Sequence, residues 1–192
     1  MQIFNDEVFT EFPVIETKNL ILREFNSEDA EVLFQNYSDK EVMKYFGREL
    51  FKDFSEAEIK IENTNSDFKN KLGIRWAVCL KSDKKQMLGS CGYWRILKEH
   101  LRAEIGYELS KEFWGKGIMT EALQAIIEFG FTGMKLHSIE ANIDPENLGS
   151  VKILEKLGFV REGYFKDSFL FQGKFTDTSS YSLINITDSF NK

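Results

Sequence analysis

The chain has 192 residues, with 25 basic and 31 acidic side chains and a formal net charge of −6 at pH 7. No Lys/Arg run is longer than Lys84-Lys85, which excludes the basic footprint that a nucleic-acid backbone requires. Hydrophobic residues make up 42%, enough for a substantial core. No run approaches the roughly 18 apolar residues of a membrane span, and Met1–Glu7 lacks a basic and then apolar leader. The expectation is a cytoplasmic protein with one domain over 1–192.

In chain order, the apolar cluster Leu20–Phe25 predicts a first strand. Ser27 offers an N-cap for a helix over 28–37. Ser38 with Glu41 reads as a capping box for a second, short helix, and Ser55 with Glu58 repeats that signature before a helix over 56–70. From Ile74 the pattern becomes strand-like. Segments 74–81 and 87–96 are joined by the polar turn 82–85, and Gly89 and Gly92 predict a bulge or a close backbone neighbour. Cys79 and Cys91 fall in these strands and read as buried free thiols, because no spacing supports a disulfide or a metal site. Arg102–Leu109 alternates Ala103, Ile105, Tyr107 and Leu109 against Glu104, Gly106 and Glu108, the period of a strand.

A long helix over 118–133 follows, with Ile118, Ala122, Ala125, Ile126 and Phe129 as its apolar stripe. Glu121, Gln124, Glu128 and Thr132 form its wet one. Ser138–Ile143 is a strand, 144–147 a turn, and Leu148–Leu157 a helix that Gly158 closes as a left-handed cap. Segments 159–166 and 179–186 are terminal strands, paired antiparallel through Gly173. This order predicts a mixed α/β layer rather than a repeating doubly wound sheet.

Two segments carry ligand chemistry. In Trp114-Gly115-Lys116-Gly117-Ile118-Met119, two nearby glycines allow close backbone approach. The helix start then supplies unpaired N–H groups and a positive dipole end, an arrangement suited to a diphosphate. A ligand-free helix start would read the same. Position 120 is Thr, which excludes a Rossmann fingerprint, and Lys116 is followed by Gly117 and Ile118, which excludes a Walker loop. Downstream, a strand delivers Asn142, and Asn147 and Ser150 share one side of a helix's first turn. They either bind a polar chain and supply a proton to a leaving group, or simply cap the helix. His100 and His137 read as structural or surface groups.

Taken together, Ala103-Glu104-Ile105-Gly106-Tyr107-Glu108-Leu109, the glycine turn running into Thr120-Glu121-Ala122, Asn147-x-x-Ser150 and Leu154-x-x-Leu157-Gly158-Phe159 resemble the GNAT acyltransferase superfamily. The opening Phe12-Pro13-Val14-Ile15-Glu16-Thr17-Lys18-Asn19-Leu20-Ile21-Leu22-Arg23 is similar to that of the ribosomal-protein N-terminal alanine acetyltransferase branch. So is the close, Gly173-Lys174-Phe175-Thr176-Asp177 leading to Tyr181-Ser182-Leu183. The resemblance covers about residues 12–186.

It implies an α+β fold with a central, mixed, mostly antiparallel sheet flanked by helices, in which two central strands splay. It also implies acetyl transfer from acetyl-CoA, without a metal, to a primary amine by direct attack. Backbone amides over Gly115, Lys116, Gly117, Ile118 and Met119, beside Trp114, would hold the CoA pyrophosphate. The acyl-pantetheine would lie in the splay, with Asn142 and Asn147 along its arm. Ser150 would serve the departing thiolate, and an amide near Leu109 the oxyanion. Glu112 stands where the family commonly has Arg or Gln, which removes a side-chain contribution there.

Glu104 is the first candidate for the general base, directly or through water, and Glu108 the rival. Neutralising an α-amine at pH 7 costs about 1 kcal/mol, against about 4.6 for a lysine, so an N-terminal acceptor needs the weaker base. Tyr37, Tyr45, Phe46, Phe51 and Phe54 fall in the early helices, which the resemblance makes the acceptor-side wall. The implied acceptor is a protein N-terminal α-amine, with a small amine such as a polyamine as the alternative. A non-catalytic acyl-CoA-binding module is the alternative from another class. The expected partners are acetyl-CoA and the acceptor, with no nucleic acid and no membrane, and the chain is a monomer or a homodimer.

Overall fold

In a computed structural model that describes residues 3–186, the chain builds one sheet of eight strands in the order β1-β2-β3-β4-β5-β6-β8-β7. These are β1 (Ile15–Glu16), β2 (Leu20–Arg23), β3 (Ile74–Leu80), β4 (Asp83–Leu97), β5 (Arg102–Leu109), β6 (Ser138–Ile143), β7 (Val160–Phe171) and β8 (Lys174–Ile184). Helices α1 (Ala30–Ser38), α2 (Lys40–Met43) and α3 (Ser55–Lys69) lie between β2 and β3 in the chain. Helix α4 (Ile118–Thr132) precedes β6, and α5 (Leu148–Lys156) follows it. Every neighbouring strand pair is antiparallel except β5 with β6. The mixed, mostly antiparallel sheet is the expected architecture.

Strand β3 shows how the layers form. Its side chains alternate between faces, so Ile74, Trp76 and Val78 join one core with Met119, Leu123 and Ile126 of α4. Ala77 and Cys79 join a second core with Leu33 of α1, Val42 of α2 and Ile61 of α3. Period two in the strand thus meets two helical layers, one on each face. Cys79 and Cys91 are buried free thiols that belong to opposite cores. On β4, a Cβ at Gly89 would lie 2.3 Å from the Glu108 carbonyl oxygen, and one at Gly92 would lie 2.3 Å from that of Ile74. Only glycine permits that approach.

The helix starts differ from expectation by one or two residues, because carboxylates and amides outcompete the serines as caps. Asn26, with Asp29, caps the turn Ser27–Asp29 that leads into α1. Asp39 rather than Ser38 caps α2. Ahead of α3, Asp53 accepts from the Ser55 amide while Glu56 accepts from the amides of Lys52 and Asp53. Helix α4 is rotated relative to the expected stripe. Its buried residues are Met119, Ala122, Leu123, Ile126, Ile127 and Gly130, while Ile118, Ala125 and Phe129 are half-buried at the margin. Glu121 is not a solvated charge. It accepts from the Thr17 hydroxyl and from the Asn19 amide and side chain, tying the β1–β2 turn to α4.

The terminal strands also run longer than expected. β7 and β8 continue beyond Lys166 and begin before Ser179, closing at Gln172 and Gly173 with φ of +48° and +76°. Two left-handed residues match the twist of a two-residue hairpin, so the ladder extends to the turn.

The feature that positions the site is the parallel pair. β5 and β6 pair only at Arg102 with Ser138, Ala103 with Ile139 and Glu104 with Glu140. Beyond Glu104, β5 continues along β4 as far as Leu109, and β6 continues along β8 as far as Ile143. The two strands part at Glu104, which is the expected splay.

Candidate active site

The parting of β5 and β6 opens into a cavity of about 430 Å³. Its walls come from α1, the α2–α3 loop, α3, the start of β3 with the two residues before it, Tyr93 and Trp94 of β4, residues 104–107 of β5, the end of β6 with Asp144, and the start of α5. Glu104, Asn142, Asn147 and Ser150 all line it. Leu109 and the turn Trp114–Met119 lie outside this lining, and the wall next to Glu104 on β5 is Ile105, Gly106 and Tyr107.

The two candidate bases stand four residues apart and have opposite surroundings. Glu104 is 6% exposed and accepts a 2.9 Å hydrogen bond from Arg95. Burial holds its carboxyl above the usual range for glutamate, and Glu140 adds to that, while the Asn142 amide and Arg95 oppose it. A carboxylate with raised proton affinity, opening on a cavity, is a better proton acceptor than an ordinary exposed glutamate. Arg95 reaches it from a backbone with φ of +46°, at the irregularity where β4 loses register with β5. Glu108 has a fully buried side chain, receives short hydrogen bonds from Arg75 and from the Ser90 hydroxyl, and does not line the cavity. Its lone pairs are occupied by fixed donors, so it serves to anchor Arg75.

At the other wall, Asn147 caps α5: its side-chain oxygen accepts from the Ser150 amide at 3.1 Å. That leaves its side-chain NH2 as a donor lining the cavity. Ser150 is 9% exposed, and the Tyr107 hydroxyl sits beside its side chain, buried and without a hydrogen-bond partner. Burial pushes the Tyr107 phenol up to about 12, with Ser150 pulling against it. An orphaned buried hydroxyl costs about 1–3 kcal/mol unless something fills the splay and pairs with it. Asn142 donates to Glu140 at 2.7 Å, and Arg102 braces the same carboxylate.

The glycine turn has the backbone that its sequence implies. Gly115 and Gly117 take φ of +72° and +79°, and a Cβ on either would meet no protein atom within 4 Å. Their backbone faces open space, room that a phosphate-bearing ligand could use. Gly117 is the N-cap residue of α4 and has no side chain to satisfy the first amides. Trp114 donates its indole N–H to the Leu109 carbonyl at 2.7 Å, fastening the turn to the end of β5. The Lys116 ammonium lies over the Phe113 ring, and Glu112 is exposed.

Of the expected aromatic wall, Tyr37, Tyr45 and Phe46 line the cavity. Phe51 stacks on Tyr37 at 4.8 Å instead, and Phe54 packs edge-on to Phe34. Neither histidine lines it. Among the further residues that line the site, Tyr107, Arg48, Lys60 and Arg75 bring polar chemistry to it. Tyr107 was visible as part of the alternating strand but read as an apolar position. Lys60, Thr64 and Asp67 share one face of α3 at helical spacing, a polar stripe that could have marked a wall. Nothing local marks Arg48 or Arg75.

Residues 19–160 match the family described as acetyltransferase (GNAT) domain. An uncharacterized N-acetyltransferase, p20, from Bacillus licheniformis is 39% identical over 168 residues, covering 88% of this chain and 94% of that protein. The [ribosomal protein uS5]-alanine N-acetyltransferase of Escherichia coli K12 is 35% identical over 96 residues, 50% of each chain. A solved GNAT-family acetyltransferase from Bacillus anthracis superposes with a TM-score of 0.80 at 29% identity, covering 90% of this chain and 98% of that one.

Proposed function

Because the chain belongs to the GNAT acetyltransferase family, we propose that this N-acetyltransferase moves the acetyl group of acetyl-CoA onto a peptide or protein N-terminal α-amine. The observation that carries the reading is the parting of β5 and β6 at Glu104, with Ser150 and Tyr107 lining the same cavity. The open glycine backbone and the orphaned Tyr107 hydroxyl fit a thioester carrier that brings a diphosphate to the turn and a polar arm to the splay.

When bound, acetyl-CoA supplies an acyl carbonyl joined to a good thiolate leaving group. Amides of Gly115 to Met119 hold the diphosphate at the head of α4. The Asn147 side-chain NH2 donates to the arm. Glu104, directly or through one water, takes the proton that the amine loses as its nitrogen bonds to the carbonyl carbon. The carbon–sulfur bond breaks, and the Ser150 hydroxyl, backed by that of Tyr107, donates to the departing sulfur. The α-amine acceptor is supported by the relative that acts on a ribosomal-protein alanine. It is also supported by the small cost of neutralising such an amine, about 1 kcal/mol at pH 7.

The test is intact-mass analysis after incubation with acetyl-CoA and peptides that begin with Ala or Ser. One acetyl per peptide, at the N-terminus, is expected. Turnover on small amines with no peptide modified would overturn the N-terminal acceptor, and CoA binding without turnover on any amine would favour the non-catalytic module.

A further inference from the structure

Lys60 of α3 and Arg48 of the α2–α3 loop line the cavity that holds Glu104. Neither makes an ion pair among the described residues. Arg48 lies over the Tyr37 ring, its guanidinium carbon 5.8 Å from the centroid. The third cation of this wall, Arg75, is already spent on Glu108, Ser90 and the Gly106 carbonyl. None of the carboxylates of the lining forms an ion pair with either cation. Glu104 is held by Arg95, Asp144 accepts from the Glu146 amide, and Asp67 is two helical turns from Lys60, a rise of about 10 Å. The cavity therefore carries a base, Glu104, and two cations, Lys60 and Arg48, that no carboxylate pairs directly among the described residues.

We propose that Lys60 and Arg48 form an anion subsite for the acceptor, so that this enzyme acetylates primary amines that carry a carboxylate or a phosphate on the same molecule. The inference rests on the acetyl-transfer reading and narrows its acceptor class. A polycationic acceptor is disfavoured, because its second ammonium would meet two like charges in a partly desolvated wall. An anion would relieve the strain of three neighbouring cations. Burial, with Arg75 and Arg48 adding to it and Glu108 and Asp67 opposing, has brought the Lys60 ammonium down to about 8.

The test compares matched acceptors: Ala-Glu against Ala-Gln peptides, Ala-phosphoserine against Ala-Ser peptides, β-alanine against β-alaninamide, and spermidine. Wild-type protein is expected to prefer the anionic member by about tenfold in kcat/KM, the effect of one charge-assisted contact. The preference should reside in KM and collapse towards unity in Lys60→Met. Arg48→Gln, on an exposed side chain, checks the same loss where folding is not at stake. The carboxylate and phosphate pairs tell which anion is preferred. In a second arm, inorganic phosphate is added to protein saturated with CoA. It should raise the melting temperature of wild type and leave that of Lys60→Met unmoved.

Equal use of charged and neutral members, or preference for spermidine, would overturn the subsite while leaving acetyl transfer intact. If no amine is acetylated, the acetyl-transfer reading fails and the phosphate arm alone decides. An equal response in both proteins would then overturn the subsite.

Discussion

The proposed donor and acceptor ends of the site are built from different materials. The donor end rests on backbone: two left-handed glycines, the unpaired amides at the head of α4 and the capped first turn of α5. The acceptor end rests on side chains from separated elements, with Tyr37 on α1, Arg48 on a loop, Lys60 on α3 and Arg75 on β3. Backbone sites tolerate most side-chain changes and fail when φ is altered, whereas side-chain sites do the reverse. Glu104 stands where the two meet.

The largest effect is therefore expected from Gly117→Val. A β-branched residue at φ of +79° is strained, and its Cβ would project into the open space assigned to the diphosphate. Titration calorimetry should show CoA binding lost, while Lys116→Ala, which leaves the backbone alone, should change affinity by about threefold or less. Equal losses in the two variants would break the distinction.

Next is Glu104→Gln, expected to lower kcat/KM by about 10²- to 10³-fold in a thiol-release assay. The same change should stabilise the fold. Glu104's carboxyl is held above its unfolded value, so its contribution to stability is present below that value and is lost as pH rises through the folded pKa. Thermal melts at neutral pH should place Glu104→Gln above wild type, with the gap closing below about pH 4. A variant less active and also less stable at neutral pH would mean that Arg95 holds the carboxylate in a structural role.

Smaller losses, about tenfold in kcat with KM little changed, are expected for Ser150→Ala and Tyr107→Phe. Because the two hydroxyls are neighbours, the double variant should lose less than the product of the single losses. The smallest effect separates the acceptor end by pH. Lys60, lowered to about 8, loses its charge as pH rises through that value, so preference for anionic acceptors should fade there in wild type and be absent throughout in Lys60→Met.

The same contrast explains what could be read before folding. Gly115, Gly117, Asn147 and Ser150 sit in short motifs whose spacing dictates local geometry, so the turn and the α5 cap were legible. The helix caps shifted by a residue or two because Asn26, Asp39 and Asp53 stand close to the serines, and side-chain oxygens compete for the same amides. Glu104 and Glu108 could not be separated on a single alternating strand. Their difference is set by Arg75 and Ser90, 33 and 18 residues away in the chain, which hold Glu108, and by the end of the β6 pairing, which exposes Glu104 to the cavity. Arg48 and Lys60 acquire meaning only when α3 and the α2–α3 loop close over the sheet. Glu121 looked solvated because its partners, Thr17 and Asn19, lie more than a hundred residues earlier.

The most direct test of Glu104 as the base at the splay is the pH profile of kcat/KM for an Ala-initiated peptide, in wild type and in Glu104→Gln. Two groups must be deprotonated in wild type, the α-amine and the Glu104 carboxyl. The logarithm of kcat/KM should therefore climb with a slope of about two at low pH and bend to about one above the Glu104 pKa. Glu104→Gln should retain only the amine's single-proton dependence, at a much reduced rate. A variant whose profile and rate match those of wild type would contradict the account.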